Sequence, residues 1–281
     1  PEVMTVFSLP MAEQVSLVCR ALGRTQKLLL RVARDGDYFY PGQEGGIPLG
    51  ELAECARRIC DLPGLVVAGV TSFPCLLYNY ERQEVERTPN LETLIQAASI
   101  LRETVGLHVE QVNAPGSSCV ATFPMLRDQG VTHAEPGSSL TGHTPLHAFS
   151  DQPESPAMVY VSEITHIAGD KAYCVGGGFY SRSRVSEALV GSEAESIIKR
   201  LVKVEPLPPG YIDYYGTLIV PQGMQVRIGD TVVFAFRSQV FATRAKVAVV
   251  GGIHCGNAYL AGLFDHTGRS LTGAETHACV G

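Results

Sequence analysis

The stretch with the most chemical content runs from Val131 to Gly142. A short apolar lead reaches Glu135, followed by Pro136, Gly137, Ser138 and Ser139. Pro136 fixes its own φ and pushes Glu135 towards an extended backbone. Gly137 lets the main chain approach a ligand closely, and the serines add hydroxyls beside amide N–H groups. That pattern makes an anion cradle with a carboxylate at its edge. A second cradle, Asn-Ala-Pro-Gly-Ser-Ser over residues 113–118, follows the strand-like residues His108 to Val112. Two such loops in succession suggest a phosphate held between neighbouring strand ends. Each alone also reads as an ordinary turn.

Other clusters carry weaker signals. Glu163, Thr165, His166 and Asp170 fall together, but no G-x-S-x-G elbow accompanies them. Arg182 and Arg184 flank Tyr180, a spacing suited to clamping a carboxylate. Asp35, Asp37 and Glu44 with Tyr38 and Tyr40 form an acidic aromatic loop suited to a basic amino group. Cys75 follows Pro74 with no cation beside it in sequence. The eight cysteines form no C-x-x-C pair and read as buried free thiols of a reducing compartment. His254 and Cys255 lack a partner pair at ligand spacing, so no metal is expected.

The elements that must position these groups fall into two blocks. Residues 1–150 alternate strands (Val3 to Leu9, Lys27 to Ala33, Leu65 to Val70, His108 to Val112, Val131 to Ala134) with helices. The helices are Ala12 to Leu22, Leu49 to Cys60, Asn90 to Val105 and Phe123 to Gln129. Apolar strands between helices imply α/β architecture with a parallel sheet. Five such units make a partial TIM-type β/α barrel, since closure takes eight over roughly 250 residues. The expectation is that the front of the barrel is missing from this sequence, which starts at Pro1; a complete five-stranded open sheet is the alternative. Residues 151–281 read as an antiparallel β domain. Its expected strands are 159–166, 171–176, 218–220, 231–236 and 246–250, with one helix over 186–202.

Composition bounds the partners. Of 281 residues, 45% are hydrophobic and 18% charged, enough for a sizeable core. The net charge of −6 without a basic cluster makes nucleic acid and anionic membrane poor partners. No apolar run spans a bilayer and no basic leader precedes an apolar segment, so a cytoplasmic protein is expected.

The order of these parts resembles the fold type III pyridoxal-phosphate enzymes, the alanine racemase and ornithine decarboxylase relatives, and among them the YhfX-type branch. Residues 71–75, 113–118, 134–142 and 176–182 carry the likeness. The resemblance implies pyridoxal 5'-phosphate as cofactor, an amino-acid substrate, and a homodimer in which one subunit's β domain completes the other's site. It implies that Glu135 faces the pyridine nitrogen, that the amides of Gly137 and Ser138 bind the phosphate, and that Ser117 or Ser118 joins them. Ser72 stands where racemase-like relatives carry a histidine against the ring. Tyr180 resembles the second tyrosine of the racemases' catalytic stretch, and with His166 it completes the candidate catalytic set. Residues Ser238 to Phe241 lack the ligands of the zinc-dependent D-serine dehydratase relatives, so zinc is not expected. No lysine fits the cofactor-binding position: Lys27 begins a strand, and Lys171, Lys199, Lys203 and Lys246 lie in or beyond the β domain.

A carboxylate beside the ring nitrogen holds a proton there, where an arginine would not. The resemblance thus implies racemisation, decarboxylation or elimination at the α-carbon, with Glu135 leaning away from simple racemisation. A pyridoxal-phosphate carrier or sensor without catalysis, or a sugar-phosphate-binding protein, are the alternatives.

Overall fold

The computed structural model describes residues 1–175, 185–208, 210, 214–235 and 245–271. The chain divides into two compact units, residues 1–140 with 144–154, and residues 141–143 with 155–281.

In the first unit, β1 (Val3–Val6), β2 (Gln26–Ala33), β4 (Leu65–Thr71) and β7 (Gln111–Asn113) form a parallel sheet in that order. The two-residue β3 (Ile47–Pro48) pairs with β2, and the strand expected over Val131 to Ala134 is reduced to a single parallel bridge from Asn113 to His133. The helices are α1 (Leu9–Leu22), α2 (Leu52–Cys60), α3 (Pro89–Ser99) and α4 (Phe123–Asp128). Local chemistry sets their ends. Ser8 Oγ accepts from Met11 N–H at the start of α1, and Gly23, at φ +60°, closes it. Ala12, Ser16 and Cys19, at helical spacing, are the residues α1 buries.

The sheet has two unlike faces. Leu28, Leu30 and Val32 of β2, Val67 and Val70 of β4, and Val112 of β7 join Leu52, Ala56, Ile59, Leu94 and Ala97 in one apolar core. Side chains alternate along a strand, so Leu29 and Arg31 of β2 point the other way. Leu29 is buried yet stands outside that core. Gly69 of β4 is held against β7: a Cβ there would lie 1.8 Å from the Gln111 carbonyl oxygen.

After β4 the chain makes a hairpin, β5 (Leu76–Asn79) and β6 (Glu84–Arg87). It is absent from the sequence reading because its turn carries Gln83, not glycine, at φ +59°, so the usual hairpin signal is missing.

The second unit is a closed antiparallel barrel in the order β10 (Glu187–Gly191), β11 (Leu201–Val204), β12 (Tyr215–Ile219), β9 (Lys171–Val175), β8 (Tyr160–Ala168), β13 (Thr231–Phe234). Its core shows a two-residue period: Ala172 and Cys174, Ala188 and Val190, Val202 and Val204, Val232 and Phe234. A separate hairpin joins β14 (Val247–Gly251) to β15 (Tyr259–Phe264). The helix expected over 186–202 is not formed. Residues 187–191 and 201–204 are strands joined through the four-residue α5 (Ala194–Ile197). Ala188 pairs with Val202, and burial in the barrel overrides the helical spacing of the local sequence.

Replacing Gly69 by alanine is expected to cost about 3 kcal/mol, because strand backbone must move to admit the methyl group. Gly50→Ala, with nothing within 4 Å of the new atom, should stay within about 0.5 kcal/mol of the parent. Denaturant melts of the two variants check the contrast; equal midpoints would contradict it.

Candidate functional site at the C-terminal edge of the parallel sheet

Register aligns one row of side chains. Arg31 pairs with Thr71, Thr71 with Asn113, and Asn113 with His133. In-register residues of a parallel sheet share a face, here the one turned away from the helices. Glu135 follows two residues after His133. Asn113 Nδ2 donates to Glu135 Oε1 at 2.6 Å and, at 3.4 Å, to Thr71 Oγ1. Asn113 is buried while the Glu135 side chain is exposed. One carboxylate oxygen is thus oriented by the sheet, and the other makes no hydrogen bond among the described residues.

The two serine loops lie side by side. Ala114 N–H donates to the His133 carbonyl at 2.9 Å, and Ser139 Oγ donates to the Ser118 carbonyl at 2.6 Å. Gly116 passes against Leu76, whose carbonyl accepts from Ser117 N–H at 3.1 Å. At φ +155°, with a Cβ falling 2.5 Å from the Leu76 carbonyl oxygen, only glycine fits there. Gly137 leads a 3-10 turn over Ser138–Thr141 and accepts from Leu140 N–H at 3.1 Å. Ser118 Oγ is buried with no hydrogen-bond partner among the described residues. Buried hydroxyls are rarely left so, and Ser118 Oγ can bond to a group placed beside it. Glu154 Oε1 accepts from Val120 N–H at 2.6 Å and braces the far side of this loop.

Ser72 lies deeper. It is fully buried, donates to the Val32 carbonyl at 3.2 Å and accepts from Asn90 Nδ2 at 3.4 Å. Its hydroxyl therefore ties β4 to β2 and α3. The acidic aromatic loop also serves the frame. Asp37 accepts from Thr93 Oγ1 at 2.7 Å and from Arg34 N–H at 2.9 Å, so its carboxylate is already used. Tyr38 and Tyr40 stack edge to face, and Tyr40 meets Phe73.

In the second unit, Thr165 Oγ1 lies 2.9 Å from His166 Nδ1, and the imidazole stacks on Tyr173 at 4.4 Å with Tyr215 edge-on at 5.2 Å. Among the described residues neither Glu163 nor Asp170 bonds to that ring, in keeping with the absence of a nucleophile elbow from the sequence. Tyr180, Arg182, Arg184, Cys279 and the run Ser238 to Phe241 lie outside the described residues. Among the described residues no group of His, Cys, Asp or Glu could hold a metal ion, and no helix is long and apolar enough to cross a membrane.

The thiols divide by environment. Cys19, Cys75, Cys119 and Cys174 are buried, whereas Cys60 and Cys255 are exposed, which corrects the expectation that all are buried. Cys75 donates to the Ser72 carbonyl at 3.1 Å. Burial first, and the charges of Asp37 and Glu135 next, push its thiol far above the ordinary range. Cys174, buried in the barrel, is pushed up to about 11.

Arg31 and Thr71 are absent from the sequence reading as site residues, and Asn113 was visible there only as the first residue of a loop. Their signal is parity. Arg31 interrupts an apolar strand close to its C-terminal end, where only residues facing away from the helices tolerate charge.

This architecture, a β/α-barrel portion carrying its polar row at the strand C-termini and followed by a β domain, is that of the alanine racemase-like proteins. Residues 2–145 match the alanine racemase N-terminal domain, and residues 159–260 match the YhfX-like C-terminal domain. The chain is 42% identical over 270 residues to the YhfX protein of Escherichia coli (strain K12), covering 96% of this chain and 68% of that one. It belongs to the alanine racemase-like family, in the YhfX-like branch. Solved structures with the same fold include D-threonine aldolase from Filomicrobium marinum (15% identity, TM-score 0.67, 95% of this chain and 70% of that one). Another is alanine racemase from Clostridium difficile 630 in complex with cycloserine (18%, TM-score 0.52, 86% of this chain). The chain spans 62% of the length of that racemase.

Thiol alkylation at pH 8 should follow this division. Iodoacetamide is expected to label Cys255 in the native protein and to spare Cys75, which is buried and whose raised pKa keeps it a neutral thiol. Peptide mapping reads the outcome; native labelling of Cys75 would contradict its placement.

Proposed function

We propose that the polar row and the two serine loops hold pyridoxal 5'-phosphate, and that the protein acts on an amino acid at its α-carbon. The observation that carries this reading is the Asn113–Glu135 hydrogen bond, which leaves one carboxylate oxygen open at the edge of the sheet. The orphaned Ser118 hydroxyl supplies the fit at the other end. Glu135 would receive the ring nitrogen, Ser118 and the amides of Gly137 and Ser138 the phosphate, with Ser117 beside them.

When bound, the cofactor supplies an electron sink for the α-carbon of an amino acid. The chain's own part is electrostatic. Glu135 keeps a proton on the ring nitrogen, since a carboxylate beside it favours the charged form. Asn113 fixes the rotamer of Glu135, so the carboxylate needs no reorganisation when the ligand arrives. Tyr180 and His166 are proposed as the proton-handling groups, with the second unit contributed across a homodimer. D-threonine aldolase, hydroxyaspartate dehydratase and alanine racemase share the fold, so the family accommodates more than one reaction at that carbon.

One observation favours a second reading, a protein that binds the cofactor without turning substrate over. Ser72, which stands where the racemase-like relatives carry a histidine, is fully buried and bonded to Val32 and Asn90, so it serves the frame of the sheet.

Equilibrium dialysis and proton exchange separate these readings. Ser118→Ala should weaken pyridoxal 5'-phosphate about tenfold and leave unphosphorylated pyridoxal unchanged. With cofactor present, exchange of the α-proton of amino acids into D2O should be measurable, and Glu135→Ala should lower it about a hundredfold while retaining binding. Binding without exchange for any amino acid supports the second reading. Absence of binding refutes both.

A further inference from the structure

Arg31 is the one strongly buried cation of the first unit, and it has no anion. The residue is 8% exposed. Nε donates to the Gly45 carbonyl at 3.1 Å, and Nη2 donates to the Gln43 carbonyl at 2.7 Å and reaches the Phe73 carbonyl at 3.5 Å. The guanidinium carbon stands 4.9 Å from the centroid of the Phe7 ring. Nη1 makes no hydrogen bond, and no carboxylate comes within ion-pair distance among the described residues. Carbonyl oxygens orient a guanidinium but leave its net charge uncompensated, and a buried charge is costly until it is paired. Burial accordingly lowers the pKa of Arg31.

Register places this cation in the site. Arg31, Thr71, Asn113 and His133 are successive partners across the C-terminal edge of the sheet, and Glu135 stands at the far end. Neighbouring strands are about 4.8 Å apart, so three steps span on the order of 14 Å. Glu135 Oε1 sits on Asn113 Nδ2, one step in from the His133 end, which shortens the distance to Arg31. The gap suits a pyridine ring bearing an amino acid, with the ring nitrogen towards Glu135. The phosphate is assigned to the serine loops beside Glu135, which leaves the α-carboxylate as the anion for the other end. Nη1 keeps its two N–H donors, which suits a charge-assisted bond to a carboxylate oxygen.

We infer that Arg31 receives the α-carboxylate of the amino-acid substrate, an inference that rests on the cofactor reading above. The residue then has two jobs from one side chain. Its Nε and Nη2 hold the loop over residues 43–45, and its Nη1 reads the ligand.

The test uses two stable reduced conjugates that differ only in the carboxylate, N-(5'-phosphopyridoxyl)alanine and N-(5'-phosphopyridoxyl)ethylamine. Titration calorimetry on the full chain should show the alanine conjugate binding the parent at least tenfold more tightly, as a charge-assisted bond requires. Arg31→Met should abolish that preference while the ethylamine conjugate binds as before, and Arg31→Lys should restore part of it. A preference that persists in Arg31→Met would overturn the inference. So would an equal loss for both conjugates in Arg31→Met, because the residue would then only support the loop. Failure of both conjugates to bind the parent would overturn the cofactor reading itself, a result distinguishable from either.

Discussion

Because Arg31, Thr71, Asn113 and His133 are paired in register across parallel segments, their side chains meet at one edge and on one face of the sheet. The rest of the first unit follows from keeping that register. Gly69 is required because β4 and β7 approach too closely for a methyl group. Ser72 and Asn90 stitch β4 to β2 and α3 under the row. A slip of one residue would turn Arg31 and Asn113 into the apolar core against the helices, where neither charge nor amide has a partner. Helical burial on one face thus enforces polarity on the other.

Electrostatics at the row is asymmetric. Glu135 is exposed and held by an amide; Arg31 is buried and held by carbonyl groups. Each is oriented by neutral partners, so neither charge is cancelled by the protein. Such paired but separated opposite charges favour a ligand with a cationic and an anionic end. In the proposed complex the protonated ring and the α-carboxylate are those ends.

Much of this was legible in the sequence. The strand at β2, the helix α1 and the serine loops were marked by apolar runs and by Gly/Pro/Ser punctuation. The parallel sheet followed from alternation of strands and helices, and the resemblance to the alanine racemase relatives is now matched along nearly the whole chain. What was hidden depended on pairing. Nothing local to Arg31 or Thr71 says that they are neighbours, and nothing local to Asn113 says that it holds Glu135. The strands over 187–191 and 201–204 were hidden for the same reason. Their apolar residues fit a helix as well as a strand until the barrel supplies partners. Asp37 misled in the opposite sense: a carboxylate in an aromatic loop looked available, yet Thr93 and the Arg34 amide consume it.

The account turns on whether Glu135, held by Asn113, meets a ring nitrogen. The direct measurement is an NMR titration of pyridoxamine 5'-phosphate labelled with 15N in the ring, free and bound to the full chain. The account predicts that the ring nitrogen of the bound ligand keeps its proton to higher pH than that of the free ligand, and that Glu135→Ala removes the difference. A bound ligand that titrates as it does in water, or an upward shift that survives loss of Glu135, would contradict it.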